Sequence, residues 1–534
     1  MDLILHNAKL GPGAENAAVA VEGGIIIGVG GPELLSLAKE KTTVIDLEGR
    51  PLLPGLCDSH LHLAETGRQM EVADLSPARS IEEMGAILRD FIREQGLPPG
   101  QPVLGWGWNQ DHFPDRRFPT LVELDAMAPE NPLVLTRVCQ HIALANSAAM
   151  ALGGIGRDTP DPAGGEIVRD GSGKPTGIFL ENAVNLLPQG TITAKDAQRW
   201  ILRAAEKAAS LGLTMVHSDD LCTVPGLSWK EVLDAYLQID LPIRVVEQCL
   251  FPTAEDLEEF FRMGLYPGWR EGNFIIGPVK IVSDGSLGAR TALLSQPYRD
   301  DPEAGVGMAS IPREEMEAQV LAAHRHGMGA VIHAIGDGAL DLALDAIQKA
   351  REAFPDIRER PLHGIVHCQI TRPDQLERIR EMKIQVLAQP VFLEYDLHIA
   401  DLRVGEELGR SCYAWNTLSQ WTVFSAGSDS PIESMDPFGN LYCGVTRMDY
   451  NGFPKGGWHP NERLTLDRTL NAATLGGARA GGLEDYCGRV APGYWADLTV
   501  ADRDLFALPP ESLLETKAAM TIVGGKIVGR RTES

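Results

Sequence analysis

His60-Leu61-His62 closes an apolar run that begins at Leu53. In an extended strand residues i and i+2 share a face, so both imidazoles point the same way. Two neutral imidazoles converging at one strand end suit zinc or a similar borderline metal. Alone, a His-x-His pair is as readily a pair of packed core histidines. Four more residues change that balance: Lys280 in Gly-Pro-Val-Lys-Ile-Val-Ser-Asp-Gly, His333 in Ala-Val-Ile-His-Ala, His367 in Gly-Ile-Val-His-Cys-Gln and Asp429 in Ser-Ala-Gly-Ser-Asp-Ser-Pro. Asp429 can ligate a metal and take a proton from water, whose pKa a metal lowers from about 15.7 toward about 7. Lys280 is the odd member, because an ammonium repels cations. It fits if CO₂ converts its desolvated amine to a carbamate that bridges two metals; the competing reading is an ion pair with Asp284. For the whole set the competing reading is a polar barrel mouth without metal.

These residues need strands to hold them. Eight candidate strands lie near Leu53–His62, Leu213–Asp219, Ile243–Leu250, Val279–Asp284, Ala330–Ala334, Gly364–Gln369, Ile384–Gln389 and Val423–Asp429. Amphipathic helices such as Arg313–His326 and Gly338–Ala353 separate most of them, the pattern of βα units. Eight such units close a TIM-type (β/α)8 barrel with its active site at the C-terminal strand ends. Alternation puts Ile365, His367 and Gln369 on one face and Val366 and Cys368 on the other. About 150 residues separate the first two strands, far more than a βα loop needs, so a subdomain inserted over about 64–200 is expected. Short β runs at both ends, with Gly524-Gly525 as a hairpin turn, predict a small β-sandwich built from residues 1–53 and 490–534. The barrel then occupies 54–489. The fold class is α/β.

Composition bounds the partners. The chain has 534 residues, 44% of them hydrophobic and 23% charged, and a formal net charge of −25. That is a globular composition with ample core, and so acidic a chain argues against nucleic-acid and anionic-membrane partners. Eight scattered cysteines without a CxxC pair read as reduced thiols. The first residues, Met-Asp-Leu-Ile-Leu-His-Asn, have no basic n-region or long apolar h-region, so no signal peptide is expected. The longest uncharged stretch, Val138–Gly156, carries Gln140, His141, Asn146 and Ser147 and is too polar to span a bilayer. A cytoplasmic protein acting on a small molecule is expected, with assembly into a homo-oligomer left open. Walker A, His-Glu-x-x-His and Gly-x-Ser-x-Gly motifs are all missing from the sequence.

Four further residues are candidates for substrate binding. Trp108, in Gly105-Trp106-Gly107-Trp108, could wall a pocket or simply fill a core. His141, near Asn146-Ser147, either reaches substrate or is a structural histidine. His217 ends the second strand and faces inward with Asp219, where it could polarise a carbonyl. Arg290 follows the Gly285–Gly288 turn and could pair with a carboxylate or oxyanion; a surface role is as reasonable.

The local sequences resemble the amidohydrolase superfamily, and most closely its YtcJ-like branch. That branch holds amidohydrolases, N-substituted formamide deformylases and AepA-like regulatory proteins. The resemblance rests on Leu53–His62, on Lys280–Ala292, on Gly427-Ser428-Asp429-Ser430-Pro431 and on Pro492–Leu498 with Gly524–Val528. It implies His60, His62, His333, His367 and Asp429 as metal ligands and Lys280 as a carboxylated bridge. Asp429 would also be the general acid and base. One or two divalent ions, zinc foremost, would be bound. The branch carries an acidic residue where this chain has Val366. The implied activity is hydrolysis of an amide-like C–N bond in an N-acyl, N-formyl or cyclic amide. A metal-binding regulator without catalysis and an ester or lactone hydrolase are the alternatives.

Overall fold

The computed structural model describes residues 1–137, 141–162, 164–188 and 192–531. Eight parallel strands form the central sheet: β1 (Leu56–Leu61), β2 (Leu213–Ser218), β3 (Arg244–Leu250), β4 (Phe274–Val282), β5 (Ala330–Ala334), β6 (Gly364–His367), β7 (Gln385–Ala388) and β8 (Phe424–Ala426). Each pairs with its neighbour in chain order from β1 to β8. The seam is closed just past β8, where the Asp429 amide donates to the His60 carbonyl at 2.7 Å and the His62 amide to the Ser430 carbonyl at 2.8 Å. All eight strand regions expected from the sequence are strands of this barrel.

The helix leading into β2, Ala194–Leu211, shows how local sequence sets these elements. Thr193 and Asp196 form a reciprocal capping box at its start. Ala197, Trp200, Ile201, Ala204, Ala205 and Ala208 recur at helical spacing and are buried. Gly212 ends it with φ of 102°. A Cβ there would lie 2.8 Å from Ala518 Cβ, so both the turn and the close approach call for glycine.

Two irregularities decide which side chains enter the barrel. Val216 and Ser218 of β2 pair with Asp58 and Leu61 of β1, two residues against three, which is a bulge. It allows Cys57, packed on the barrel floor with Met215, Val246 and Ala478, and His60, three residues on, both to face inside. The second is at β6, where the register sets His333 opposite Val366 and Ala334 opposite His367. Residues opposite one another share a face, and Val366 packs inside with Val331, Leu387 and Ala480. The expectation that Val366 points away from the axis is therefore corrected. His367 regains the interior because it and Cys368 take φ of 75° and 52°, the left-handed region that side-chain-bearing residues seldom occupy.

Residues 477–480 form a short helix that plugs the floor. A Cβ at Gly477 would lie 2.4 Å from Cys57 Sγ. At the chain ends, one four-stranded sheet contains Leu3–Ala8, Ala17–Glu22, Ile25–Gly30 and Thr43–Asp46; another contains Leu52–Pro54, Leu498–Ala501, Ala518–Val523 and Lys526–Arg530. Leu3, Leu5, Val19, Val21 and Ile26 of the first share one buried cluster with Leu52, Leu498, Val500, Met520 and Ile522 of the second.

Residues 67–192 form a second compact unit. Its six-stranded sheet runs in the order Gly165–Arg169, Pro175–Glu181, Ile142–Ala145, Leu133–Arg137, Val103–Trp108, Val72–Asp74. Leu75, Met84, Leu88, Trp108, Leu133 and Leu135 are part of its core. The seven cysteines among the described residues are free thiols, six of them buried; Cys139 lies outside the described residues. No helix among the described residues is long and apolar enough to cross a membrane.

Candidate metal centre

The barrel brings His60, His62, Lys280, His333, His367 and Asp429 together at its C-terminal end. Asp429 Oδ1 stands 3.2 Å from His60 Nε2 and 3.1 Å from His62 Nε2. Lys280 Nζ is 3.0 Å from His60 Nε2. His367 Nε2 is 3.0 Å from His333 Nδ1, and the His60 and His367 rings are 5.6 Å apart. Lys280 is 1% exposed, far below what an unpaired lysine tolerates.

Hydrogen bonding fixes which nitrogen of each ring carries its proton. Gln248 donates through Nε2 to the Ser59 carbonyl at 3.0 Å, so its Oε1, 2.9 Å away, must accept from His60 Nδ1. Gln389 donates to the Leu387 carbonyl at 3.0 Å, and its Oε1 accepts from His367 Nδ1 at 2.8 Å. His333 Nε2 faces the Gly285 carbonyl and Asp284 Oδ1, both at 3.2 Å. His62 Nδ1 faces Asp219 Oδ1 at 2.5 Å. His60, His333 and His367 thus each spend an N–H on an outward acceptor and turn a lone pair inward. Burial would lower the His62 pKa, but Asp219 and Asp429, one beside each ring nitrogen, raise it well above the ordinary value.

The inward nitrogens face one another and Asp429 Oδ1, which receives no hydrogen bond. The lone pairs of His367 and His333, 3.0 Å apart, and of His60 and Asp429, 3.2 Å apart, repel unless a cation lies against them, and imidazole and carboxylate donors are those a divalent zinc-like ion takes. The residues therefore fit a metal. Burial, with Lys280 beside it, lowers the His60 pKa; burial and His333 hold His367 well below its ordinary value. Both rings are kept neutral, as ligation requires. Burial would raise the Asp429 carboxyl, but His60 and His62 hold it well below the usual carboxylate range.

A second histidine cluster, His324 and His363, shows the opposite arrangement. His324 Nε2 meets the Phe354 carbonyl at 3.2 Å and His363 Nδ1 accepts from the Ala330 amide at 2.9 Å. His363 Nε2–H can then donate to His324 Nδ1, 3.1 Å away. All four nitrogens are used, leaving no lone pair for a metal.

The other residues singled out from the sequence lie elsewhere. His217 does face the barrel interior, but one layer down, against the floor: its Cε1 is 3.2 Å from a Cβ built at Gly481. Burial, with His60 nearby, drops its pKa to about 3. Trp108 is fully buried in the second unit, and its Nε1 donates to the Leu135 carbonyl at 3.1 Å; it packs a core and does not wall an open pocket. His141 forms an exposed pair with Glu181 at 2.8 Å. Arg290 pairs with Asp300 at 2.9 Å, which is itself held by Arg403 at 2.7 Å, so its partner is internal. The acid facing Lys280 is Asp219, at 2.9 Å, and not Asp284. Both Asp284 oxygens accept main-chain amides, from Leu293, Ile335 and Gly336.

Sequence reasoning missed Gln248 and Gln389, although each sits at a barrel strand end in the parity expected of an inward residue. It also passed over Glu433, half-buried near Asp429. Burial and the neighbouring Glu394, Asp396 and Asp429 raise its carboxyl to about 7.

Comparison with known proteins agrees with this geometry. The profile of the Amidohydrolase family matches residues 43–529. The chain is 32% identical to the Bacillus subtilis protein YtcJ over 97% of its own length and 96% of that protein's. It is 29% identical to the N-substituted formamide deformylase of Arthrobacter pascens, over 100% and 99%. The crystal structure of a metal-dependent hydrolase from Pyrococcus furiosus superposes with a TM-score of 0.74 at 30% identity, covering 94% of this chain and 99% of that one. The chain therefore belongs to the amidohydrolase family, on its YtcJ-like branch, as a metal-dependent hydrolase.

Proposed function

We propose that the protein hydrolyses an amide-like C–N bond in a small molecule, of the N-acyl, N-formyl or cyclic amide class. The observation that carries this is the set of inward lone pairs around one unsatisfied Asp429 oxygen. His60, His62, His333, His367 and Asp429, with Lys280 in carboxylated form, hold one or two divalent ions, zinc by donor chemistry. A cation held there supplies Lewis acidity toward a carbonyl and makes water nucleophilic near neutral pH.

The chain's own part is proton handling and positioning. Asp429 Oδ1 accepts the proton of the attacking water and returns it to the departing nitrogen. Gln248, Gln389 and Asp284 keep the rings from rotating. The similarity to an N-substituted formamide deformylase supports a C–N bond as the one cleaved.

The test is a screen of zinc- or manganese-loaded protein against N-formyl, N-acyl and cyclic amides, with esters and lactones alongside. Turnover of an amide by wild type and its loss in Asp429→Asn is expected. Turnover of esters or lactones alone would replace this reading by the ester/lactone one. Metal bound without any turnover would favour a regulatory protein.

A further inference from the structure

We infer that Asp219 is the positioning carboxylate of the metal centre, one oxygen fixing His62 and the other holding Lys280. The inference rests on the metal-centre reading above and adds a residue outside its ligand set. Asp219 is the first residue past β2 and is 1% exposed. Its Oδ1 lies 2.5 Å from His62 Nδ1 and its Oδ2 2.9 Å from Lys280 Nζ.

Asp219 contacts His62 on the nitrogen turned away from Asp429. The His62 nitrogen that faces Asp429 is Nε2, at 3.1 Å, whereas Asp219 touches Nδ1. A carboxylate on the far nitrogen sets the ring's tautomer and orientation and strengthens the near nitrogen as a donor. The second oxygen accepts from Lys280 Nζ, an N–H that the amine and its carbamate both carry, and holds that nitrogen 3.0 Å from His60 Nε2. Asp284, the acid nearest Lys280 in sequence, does not do this, since both its oxygens are taken by main-chain amides. One side chain thus ties together residues from β1 and β4.

Asp219 is itself rigidly placed. Its neighbour Asp220 accepts from the Ala64 amide at 3.0 Å and from Ser218 Oγ at 2.7 Å, and the Leu221 amide donates to Glu247 at 3.2 Å. These bonds pin the turn after β2 to the segment following β1 and to β3. A buried carboxylate is costly unless its partners are well placed. Here one oxygen accepts a hydrogen bond from Lys280 Nζ and the other forms an ion pair with His62, which gives the acid a reason to be there.

The test compares zinc affinity of the full-length wild type and Asp219→Asn by competition with a chromophoric chelator, with metal content and thermal unfolding measured alongside. A fall of about 10–100-fold in affinity is expected for Asp219→Asn, with the fold retained. Wild-type protein that binds no divalent metal would overturn the metal-centre reading and this inference with it. Equal affinity in the two proteins would overturn the positioning role alone. A crystal structure of zinc-loaded wild type provides a readout that does not depend on the variant folding. Asp219 within hydrogen-bond reach of His62 Nδ1 and off the metal supports the role. An Asp219 oxygen at about 2.0–2.2 Å from zinc would make it a ligand and overturn the role.

Discussion

His60 and Asp429 meet twice. The Asp429 amide donates to the His60 carbonyl at 2.7 Å, and the Asp429 carboxylate oxygen stands 3.2 Å from His60 Nε2. The first contact closes the barrel between its last and first strands; the second is part of the metal centre. Barrel closure and ligand geometry are therefore set by the same pair of residues.

Gly427 lies at this seam. A Cβ there would fall 2.6 Å from the His60 amide nitrogen and 2.9 Å from its carbonyl oxygen, both main-chain atoms that cannot swing aside. Gly427→Ala is expected to destabilise the fold by about 1–3 kcal/mol and to weaken zinc binding together with it. Denaturant unfolding and metal titration of the same preparation check both; a loss of stability with unchanged zinc affinity would uncouple seam and centre.

Asp429→Asn keeps the main-chain bond. It also keeps a residue that tolerates the φ of 61° at this position. The proton acceptor is lost, so the rate constant kcat should fall by about 10²–10⁴-fold while the unfolding temperature changes little. Steady-state kinetics on a substrate from the amide screen, with calorimetry, separates a catalytic loss from a folding one.

Gln389→Leu and Gln248→Leu remove the amide oxygens that hold His367 and His60 by their Nδ1 atoms. Each should lower metal affinity by about 10–100-fold without touching a ligand. Competition titrations measure this, and affinities equal to wild type would show that packing alone orients the rings.

Metal removal should cost stability as well as activity. With lone pairs converging from four strands, the apoprotein carries repulsion that a cation relieves. Free zinc at about 100 times its dissociation constant should stabilise the fold by about 2.7 kcal/mol. Chelation followed by readdition of metal, monitored by thermal unfolding, should reverse both losses.

His363 is held neutral by burial, with its pKa lowered to about 3, against about 6.5 in an unfolded chain. Between these values the unfolded state binds a proton that the folded state does not. Its penalty is therefore missing above pH of about 6.5 and grows as pH falls toward about 3, by about 1.4 kcal/mol per pH unit. His217, lowered to a similar value, acts in the same direction. His363→Asn should flatten the acid limb of stability by about one proton, whatever it does to stability at neutral pH. Denaturant midpoints across that range test it, and an unchanged slope would rule it out.

Sequence alone determined the barrel and the membership of the cluster. Strand and helix periodicity are local properties, so the eight strands and the helices at Arg313–Arg325 and Asp337–Ala353 can be read from short stretches of sequence. The residue types at strand ends are likewise legible, because parallel strands in a barrel all deliver their C-terminal ends to one mouth.

Tertiary structure decided the orientation. Alternation assigns Val366 to the wrong face and His367 to the right one for the wrong reason, because it has no term for the left-handed residues His367 and Cys368 that let both enter the barrel. The β1 bulge is similarly invisible, since it is defined by the number of residues opposite it on β2. Choosing Asp219 over Asp284 as the partner of Lys280 depends on which acid has oxygens left after the main chain is satisfied. The tautomer of each histidine depends on glutamines and carbonyls distant in sequence. Composition announced a net charge of −25, whereas the centre's demand for a cation arises from lone pairs that only folding sets face to face.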